Sequence, residues 1–402
     1  MSALKGKRLM ILGAGPFQAP AIRKAAALGC HVITVDYIPG NVGHQYGHQY
    51  VNLSTVDKEC ILKVARDLCI DGICTFSSDV AIPTVAHVCN GMGLSGASIV
   101  AAETMATKHR FRAFLREVNL ACPDFLSGNN LEILAENLHH IKPPVVFKPV
   151  DTSGSRGITR LDHFDPRSVE RAFLKAQDYS PSKTVCVEEF VAGTEVGGDA
   201  ILINGRVAFI AITHKHLQGF VVTGHSLPTN IAARDQARVV EHIEAICTAL
   251  GYISGPLNFD VIVSKGAVTM LEMSARNGGN GIPAVIERAT GVDVEQASIH
   301  LALGVVPNLP EHVEIKRGAG SFVFGSPSGG RLERICLPEN LQRLVPEVFQ
   351  TYFTKQPGDH IEPFEHNGNL IGFALFDCMD AAAYERITER ISDTLDIAIS
   401  HK

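Results

Sequence analysis

Two acidic residues are spaced so that together they could bind a divalent cation. Asp260 lies in the β-rich run PLNFDVIV and Glu272 in the run VTMLEMSAR, with Lys265 to Ala267 near the junction of the two runs. If Lys265 to Ala267 form a three-residue hairpin loop, Asp260 falls directly opposite Glu272 on one face of the sheet. Opposed carboxylates repel each other unless one is protonated or a cation lies between them. The pairing predicts a site for Mg2+, which takes oxygen ligands and shares them with phosphates.

The same two runs place further side chains beside the acidic pair. Along the first run, alternation puts Asn258, Asp260 and Ile262 on one face. Along the second run it assigns one face to Met270, Glu272, Ser274 and Arg276. Arg276 would then stand at the edge of the metal site, where its planar fork can hold a carboxylate or a phosphate. The alternative is an ordinary hairpin whose acids face solvent.

A lysine at the end of an apolar run also needs a partner. Lys148 follows VVF, and lysine is rarely buried without an opposite charge. Pro149 favours extended backbone at Lys148, and the loop after it is rich in backbone donors that can surround phosphate oxygens. The loop residues of interest are Ser153, Gly154, Ser155 and Gly157. A β-turn with a lysine that reaches solvent is the alternative.

A third feature combines acids with an apolar surface in VCVEEFVAGTE, residues 185–195. A purine base binds in an apolar slot with backbone groups at its edge, and a ribose is held by a carboxylate that accepts its hydroxyl protons. Glu188, Val191 and Glu195 offer these groups. A solvated strand end would have the same composition.

In this order, the three features resemble the ATP-grasp superfamily of carboxylate-amine ligases, in its biotin carboxylase-like and L-amino-acid ligase-like branch. The resemblance covers about residues 1–310 and implies an α/β protein. It implies an N-terminal parallel α/β domain at 1–105, then an ATP-grasp fold of two α+β subdomains at 106–310 with a small lid at about 122–190. Residues 311–402 look like the C-terminal closing subdomain of that branch.

The resemblance implies roles for individual residues. The residues implied to bind ATP are Lys108, Lys148, Ser153, Gly154, Ser155, Gly157, Glu188, Val191 and Glu195, with Glu188 and Val191 at the adenine hinge and Glu195 at the ribose. The residues implied to bind one or two Mg2+ ions, with Mn2+ as an alternative, are Asp260, Glu272 and Ser274. Arg276 and Lys148 are implied to be catalytic. Two positions depart from the family pattern: Ser274 replaces a frequent asparagine and Asp260 a commoner glutamate.

Substrate contacts are expected from two regions. Residues 213–228, THKHLQGFVVTGHSLP, occupy the place where such enzymes meet their substrates, and Ser78 and Asp79 follow a strand of the first domain, where ligands collect. The candidates are His214, Lys215, His216, His225, Arg276, Asn277, Gly278, Gly279, Ser78 and Asp79. The alternatives are a surface histidine cluster and a helix N-cap in the segment that contains Ser78.

Periodicity predicts the elements that must position these residues. In the first hundred residues, β-rich runs alternate with helical patterns, which predicts a parallel sheet with helices on both faces. Further helices are predicted at 107–118, 235–250 and 381–399, the last with Asp380 as its N-cap. Gly13, Gly15 and Asp36 suggest a dinucleotide-binding fingerprint, but Gln18 stands where its third glycine belongs.

Composition limits the classes of partner. A net charge of -6 without a basic block disfavours nucleic acid. No run approaches the roughly 20 apolar residues of a membrane span, and LMIL is too short for a secretory signal. Ten scattered cysteines without a CxxC pair indicate reduced thiols in a cytoplasmic protein. The expected partners are a small-molecule carboxylate and amine, and the resemblance suggests a homodimer.

These features lead to one hypothesis and two alternatives. The hypothesis is ADP-forming ligation, in which ATP converts the carboxylate of an amino acid or small acid into an acyl phosphate, and an amine then displaces phosphate to form an amide or peptide bond. The first alternative is an ATP-dependent carboxylase that uses bicarbonate through carboxyphosphate. The second is an NAD-dependent oxidoreductase or a nucleotide-binding module without turnover.

Overall fold

Residues 3–401 are described by a computed structural model, and within that range the strands form four sheets. The parallel and antiparallel sheets, each packed against helices, confirm the predicted α/β fold class. None of the helices in this range combines the length and the hydropathy needed to cross a bilayer.

The N-terminal sheet is parallel, as predicted, with strand order β3-β2-β1-β4. Its strands are β1 (Arg8–Leu12), β2 (His31–Val35), β3 (Gln49–Val51) and β4 (Gly72–Thr75). Helix α1 (Ala19–Ala27) packs on one face, and α2 (Lys58–Asp67) and α3 (Ile82–Met92) pack on the other. Strand order reverses between β1 and β4, so ligands are expected at the carboxyl ends of these two strands.

Two consecutive helices, α4 (Ile99–Ala106) and α5 (Lys108–Glu117), lead into the small sheet. This sheet is antiparallel with order β5-β8-β6-β7 and lies within the predicted lid. Its strands are β5 (Phe125–Gly128), β6 (Val145–Pro149), β7 (Thr159–Leu161) and β8 (Val185–Glu189). Helices α6 (Leu131–Asn137) and α7 (Pro166–Tyr179) contribute apolar residues to its core.

The large sheet is antiparallel, with order β13-β12-β9-β10-β11-β14-β18-β16. Its strands are β9 (Thr194–Ile203), β10 (Arg206–Gln218), β11 (Val221–Leu227), β12 (Gly255–Ser264), β13 (Ala267–Ser274), β14 (Ala319–Phe324), β16 (Val348–Phe353) and β18 (Gly372–Asp377). Helix α8 (Ala233–Leu250) packs on one face, and α9 (Ile282–Thr290) and α10 (Val294–Ala302) pack on the other. The sheet takes strands from both sides of the predicted boundary at 310, which stays a prediction.

The C-terminal region adds an outer sheet of β15 (Gly330–Arg334), β17 (His360–Ile361) and β19 (Ala398–Ser400), with helices α11 (Pro338–Leu344) and α12 (Ala381–Leu395). Asp380 caps α12 as predicted, because its side chain accepts a hydrogen bond from the Ala383 amide at 2.7 Å. The prediction that this helix continues to residue 399 is wrong. Asp396 adopts a left-handed conformation with φ 46°, and the chain then pairs with β15 as a strand.

The hairpin that carries the two acids has a shorter turn than predicted. Ser264 pairs with Ala267, so the turn contains only Lys265 and Gly266. Both turn residues have positive φ, 48° and 80°, as the mirror-image turns favoured in two-residue hairpins require. The prediction of a three-residue loop is therefore wrong.

A β-bulge restores the predicted register beyond that turn. Val261 pairs with Met270 but Asp260 pairs with Glu272, so Leu271 is the extra residue. The predicted opposition of the two acids is confirmed. The bulge also reverses the side-chain alternation, and Met270 lies in the core instead of on the face of Glu272, as the alternation had predicted.

Candidate active site

A cavity of about 830 Å3 lies where the N-terminal, small and large sheets meet. Most of the predicted nucleotide-binding residues line it: Lys108, Lys148, Ser153, Gly154, Ser155, Glu188, Val191 and Glu195. Of the other predicted site residues, it is also lined by Asp260, Glu272, Arg276, His214, Lys215, His225, Gly279, Ser78 and Asp79. Residues from three sheets therefore converge on one space, as the sequence predicted.

Five predicted site residues do not line this cavity: Gly157, His216, Ser274, Asn277 and Gly278. Asn277 is fully buried, and with Gly278 it donates hydrogen bonds to Asp199. Burial raises the pKa of Asp199 to about 6. Asn277 and Gly278 thus anchor the loop after β13 to the large sheet, and the structure does not bring them to a substrate.

Glu272 has a lysine partner in the cavity wall. Lys108, at the first position of α5, lies 2.8 Å from the Glu272 carboxylate and also donates to the carbonyl of Thr152 at 2.7 Å. Burial by itself would raise the pKa of Glu272, but the charges of Lys108 and Lys148 outweigh it and lower that pKa to about 2. Glu272 is therefore an anion throughout the neutral range.

Asp260 has a different lysine as its partner. Lys215 on β10 lies 2.8 Å from Asp260 and 2.5 Å from Glu195. Burial by itself would lower the pKa of Lys215, but the two acids outweigh it and raise that pKa. Burial raises the pKa of Asp260, and the charges of Glu195 and Glu272 add to this effect. In this structure, Lys215 supplies the positive charge that the opposed acids require.

Lys148 has the acidic partner that its burial demands. Its ammonium group contacts the Glu188 carboxylate, which also accepts a hydrogen bond from Arg112 Nε at 3.0 Å. The Glu188 side chain therefore faces the lysines, and its implied place at the adenine hinge stays a prediction. Glu189, the last residue of β8, and Val191, just after the strand, also line the cavity and can present backbone groups to a base.

Arg112 is a site residue that the sequence reasoning missed. Its side chain is fully buried, holds Glu188 and donates to the carbonyl of Leu271 at 2.6 Å, next to Glu272. It lies four residues after Lys108 on α5, a spacing that puts both side chains on one helix face. That spacing was the available signal in the sequence.

Arg276 joins the large sheet to the N-terminal domain. Its Nε donates to Asp79 at 2.8 Å, and its Nη1 donates to Asn258 Oδ1 at 2.8 Å. Asp79 follows β4, at the strand end where the sheet topology predicts ligands. The predicted substrate residues Asp79 and Arg276 thus form one partly buried ion pair.

The glycine-rich loop after β6 is held over the cavity. Ser155 Oγ donates to the carbonyl of Phe220 at 2.6 Å, and the backbone amide of Asn367 donates to the carbonyl of Gly154 at 3.1 Å. Gly154 and Ser155 both have positive φ, 72° and 64°. The loop therefore touches the β10–β11 turn and the C-terminal region at the same time.

The histidines of residues 213–228 have separate environments. His225 is buried against Thr213 Oγ1 at 2.9 Å, and burial, with the charge of Lys215, lowers its pKa well below the usual value. His214 lies 3.1 Å from Asn230 Oδ1. His216 stacks on Tyr384 and does not line the cavity. Only His214 and His225 remain candidates for substrate contact.

The acidic pair fits a magnesium ion that is shared with phosphates. Within residues 3–401 no three His, Cys, Asp or Glu side chains cluster as a metal site. Mg2+ is typically bound by one or two carboxylates together with phosphates and water, and Asp260 and Glu272 supply two. Ser274 Oγ is buried and has no hydrogen-bond partner among the described residues, but it lies outside the main cavity.

The glycine loop between β1 and α1 is covered by the side chain of Gln18, which belongs to the same loop. Gln18 Nε2 donates to the carbonyl of Phe76 at 2.6 Å, and the Gln18 side chain lies over Gly13. Asp36 accepts a hydrogen bond from the Ala14 amide at 3.0 Å. These contacts occupy the groups that a dinucleotide would use, and they argue against the oxidoreductase alternative.

A family model described as an ATP-grasp domain matches residues 141–284. The chain therefore contains an ATP-grasp domain. The resemblance found in the sequence is thereby confirmed. The matched range begins before β6 and ends in α9, so it contains the glycine-rich loop, the paired acids and Arg276.

The chain is also similar to named ligases. Carnosine synthase 1 of Mus musculus is 26% identical over 347 residues, covering 77% of this chain and 41% of that protein. Alanine–anticapsin ligase of Bacillus subtilis is 26% identical over 278 residues, covering 63% of this chain and 58% of that protein. The chain therefore spans less than two-thirds of the length of these two relatives.

A solved structure supports the fold over the whole chain. The crystal structure of an L-amino acid ligase from Bacillus licheniformis superimposes with a TM-score of 0.84, covering 99% of this chain and 100% of that chain. Its sequence identity is 22%, so this likeness shows the fold alone.

Proposed function

We propose that the protein is an ADP-forming ligase that joins the carboxylate of an amino acid or small acid to an amine. The observation that carries this proposal is the direct opposition of Asp260 and Glu272 on the wall of a cavity that also contains Lys108, Lys148 and Arg276. Carboxylates that can hold a magnesium ion, beside cations that can hold phosphate oxygens, suit a polyphosphate with its magnesium ion. The names of the similar ligases support the same reaction class.

The proposed reaction has two steps. A carboxylate oxygen of the acid attacks the γ-phosphorus of ATP, the bond to the β-phosphate oxygen breaks, and ADP leaves. The amine nitrogen then attacks the acyl carbon, the carbon–oxygen bond to phosphate breaks, and the proton lost by nitrogen leaves with inorganic phosphate. Neither step requires a nucleophilic side chain, so the residues act by position and charge.

The chain's own residues have distinct parts in these steps. Lys108 and Lys148 hold phosphate oxygens, and Arg276 holds the carboxylate or the transferring phosphoryl group. A magnesium ion held by Asp260 and Glu272 would neutralise charge on the phosphates. Residues 153–157 cover the cavity and exclude the water that would hydrolyse an acyl phosphate.

The test is a screen of ADP and phosphate release with amino acids and small carboxylates, singly and in pairs. We expect release to require one acid and one amine together, and hydroxylamine to trap the acyl phosphate when the amine is omitted. Release that depends on bicarbonate without an organic acid would replace this proposal with the carboxylase alternative. ATP binding without any ADP formation would indicate a binding module.

A further inference from the structure

A short turn in the C-terminal region, residues 366–368, packs against the middle of the glycine-rich loop; we call it the C-terminal turn. The backbone amide of Asn367 donates to the carbonyl of Gly154 at 3.1 Å. Nη2 of Arg156 lies 2.7 Å from the position that a Cβ on Gly368 would take, so the Arg156 side chain rests on the backbone of this turn. The loop is therefore held by a segment more than 200 residues away in the sequence.

The C-terminal turn also contacts helix α7, through a histidine. The ring of His366 packs edge-on against Tyr179, with 5.6 Å between the ring centroids and 78° between the planes. Tyr179 is the last residue of α7 and covers the end of the loop, because a Cβ on Gly157 would lie 3.0 Å from its ring. Tyr179 and Asn367 thus restrain different ends of the glycine-rich loop, and His366 adjoins both of them.

His366 also sets the conformation of the turn itself. Its Nδ1 accepts a hydrogen bond from the Gly368 amide at 3.1 Å, which caps the turn that carries Asn367. Only an unprotonated ring nitrogen can accept such a bond. The loop contact of Asn367 therefore depends on a neutral His366.

The surroundings of His366 favour the neutral ring. The titratable and charged groups that face it are Arg156 of the loop, Lys175 and Tyr179 of α7, and the neighbouring Glu365. Burial lowers the pKa of His366, and the charges of Arg156 and Lys175 add to this effect, while Glu365 opposes it. The ring is therefore neutral at pH 7 and above.

We propose that His366 is a positioning residue for the ligase reaction: in its neutral form it holds the C-terminal turn that keeps the glycine-rich loop closed over the acyl phosphate. The inference rests on the proposed function, because the loop has an intermediate to protect only if the protein forms one. Protonation of Nδ1 removes the acceptor of the Gly368 amide and adds a positive charge beside Arg156 and Lys175. Both effects release the turn, so the loop opens as the pH falls and water reaches the acyl phosphate.

The first measurement is tryptic cleavage after Arg156 in the protein without ligands, which reports opening of the loop. His366→Ala removes the acceptor and the ring contact, and we expect cleavage at about pH 8 to become about tenfold faster. His366→Asn should stay close to wild type, because an asparagine oxygen also accepts a backbone hydrogen bond at the start of a turn. His360→Ala is the matched control, since the His360 side chain belongs to the same region and is 71% exposed. It should leave the cleavage rate unchanged.

The second measurement is the ratio of ADP released to hydroxamate formed with hydroxylamine. An open loop lets water compete for the acyl phosphate, so we expect His366→Ala to raise this ratio about threefold or more at neutral pH, and His366→Asn to restore it. Between about pH 7.5 and pH 5.5, the ratio should rise in wild type relative to His366→Asn, because asparagine does not titrate. Comparison of the two proteins at each pH cancels the titration of hydroxylamine.

An unchanged cleavage rate or an unchanged ratio in a folded His366→Ala protein would overturn the inference, and so would parallel pH profiles of wild type and His366→Asn. If His366→Ala does not fold, His366→Phe decides, because it keeps a ring against Tyr179 without the acceptor. Cleavage of His366→Phe no faster than that of His366→Asn would also overturn the inference. A wild-type protein that forms no hydroxamate would instead reject the ligase function, and faster cleavage of His366→Ala would still support the hold of His366 on the loop.

Discussion

Asp260, Glu272 and Glu188 each lie against a lysine in the wall of the main cavity. Each lysine neutralises a carboxylate that would otherwise be buried as an isolated anion, which is strongly unfavourable. Nucleotide phosphates would compete for the same lysines and leave the carboxylates to a magnesium ion. The ion pairs of this structure therefore mark the positions where ligand charges are expected.

Replacement of Glu272 by glutamine tests the metal assignment. The substitution keeps the size of the side chain but removes the negative charge that faces Lys108 and, in the proposed complex, Mg2+. We expect the rate of ADP formation to fall by about 100-fold or more, the scale of losing one preorganised electrostatic contact. Glu385→Gln, on the exposed face of α12, is the control. An unchanged rate in Glu272→Gln would refute the metal role.

Replacement of Arg112 by alanine tests how much its buried ion pair with Glu188 stabilises the fold. Arg112 is fully buried, and its loss leaves the Glu188 carboxylate with Lys148 alone. We expect the free energy of unfolding to fall by about 3–5 kcal/mol, measured by urea denaturation. Arg116→Ala removes an exposed arginine one turn later that pairs with Asp124, and should cost about 1 kcal/mol or less. Equal effects of the two substitutions would contradict the argument.

At the scale of elements, the loop after β6 depends on strands from two other parts of the fold. Ser155 reaches the turn between β10 and β11, and Asn367 reaches both Gly154 and the carbonyl of Val222 at 2.8 Å. Asn367 thus fixes the loop relative to the large sheet. The C-terminal region contributes to closing the cavity although it carries none of the predicted phosphate ligands.

Replacement of Asn367 by alanine should loosen this loop. The side chain's hydrogen bond to Val222 is lost, while the backbone contact of residue 367 with Gly154 remains. A net hydrogen bond is worth about 0.5–1.5 kcal/mol, so we expect amide hydrogen exchange at residues 153–157 to become up to about tenfold faster. Asn137→Ala, which removes a surface hydrogen bond on α6, should leave that exchange unchanged. Identical exchange in both variants would exclude the contact as a restraint.

At the scale of the whole molecule, ion pairs at two places within residues 3–401 join the N-terminal sheet and its helices to the large sheet and its helices. Asp79 binds Arg276 at the active site. Lys24 on α1 contacts Glu287 of α9, Glu295 of α10 and Asp293, which lies between these two helices. Burial raises the pKa of Glu295 to about 7, and Lys24 opposes this effect only in part. The N-terminal domain is therefore attached through a buried acid whose charge changes near neutral pH.

This contact predicts a pH dependence of stability. The pKa of Glu295 is about 7 in the folded protein and 4.5 in its ordinary environment, so the folded state binds more protons between these values. Its contribution to stability is complete below about pH 4.5 and is lost as the pH rises towards 7. We expect the free energy of unfolding to fall with pH over this range more steeply in wild type than in Glu295→Gln. Parallel pH profiles, measured by urea denaturation, would contradict the prediction.

The sequence alone determined the local features. Alternating apolar runs predicted the parallel N-terminal sheet, the spacing of Asp260 and Glu272 predicted their opposition, and burial of Lys148 predicted an acidic partner. The first two features depend on residues that are near in sequence. The third depends on the free energy that burial of an unpaired charge costs in any fold. The prediction of the Asp260–Glu272 pairing assumed a turn that is one residue too long. The pairing is still right, because the bulge at Leu271 shifts the register of the two strands by the same one residue.

Tertiary structure decided which residues share a contact across long separations. Arg112 meets Glu188 across 76 positions, Lys215 meets Asp260 across 45, and Arg276 meets Asp79 across 197. No local pattern encodes such pairs, because they form only when separate sheets pack around one space. The same packing left Asn277 and Gly278 inside the protein. Local periodicity predicts which face a side chain occupies, and only assembly of the sheets determines what that face meets.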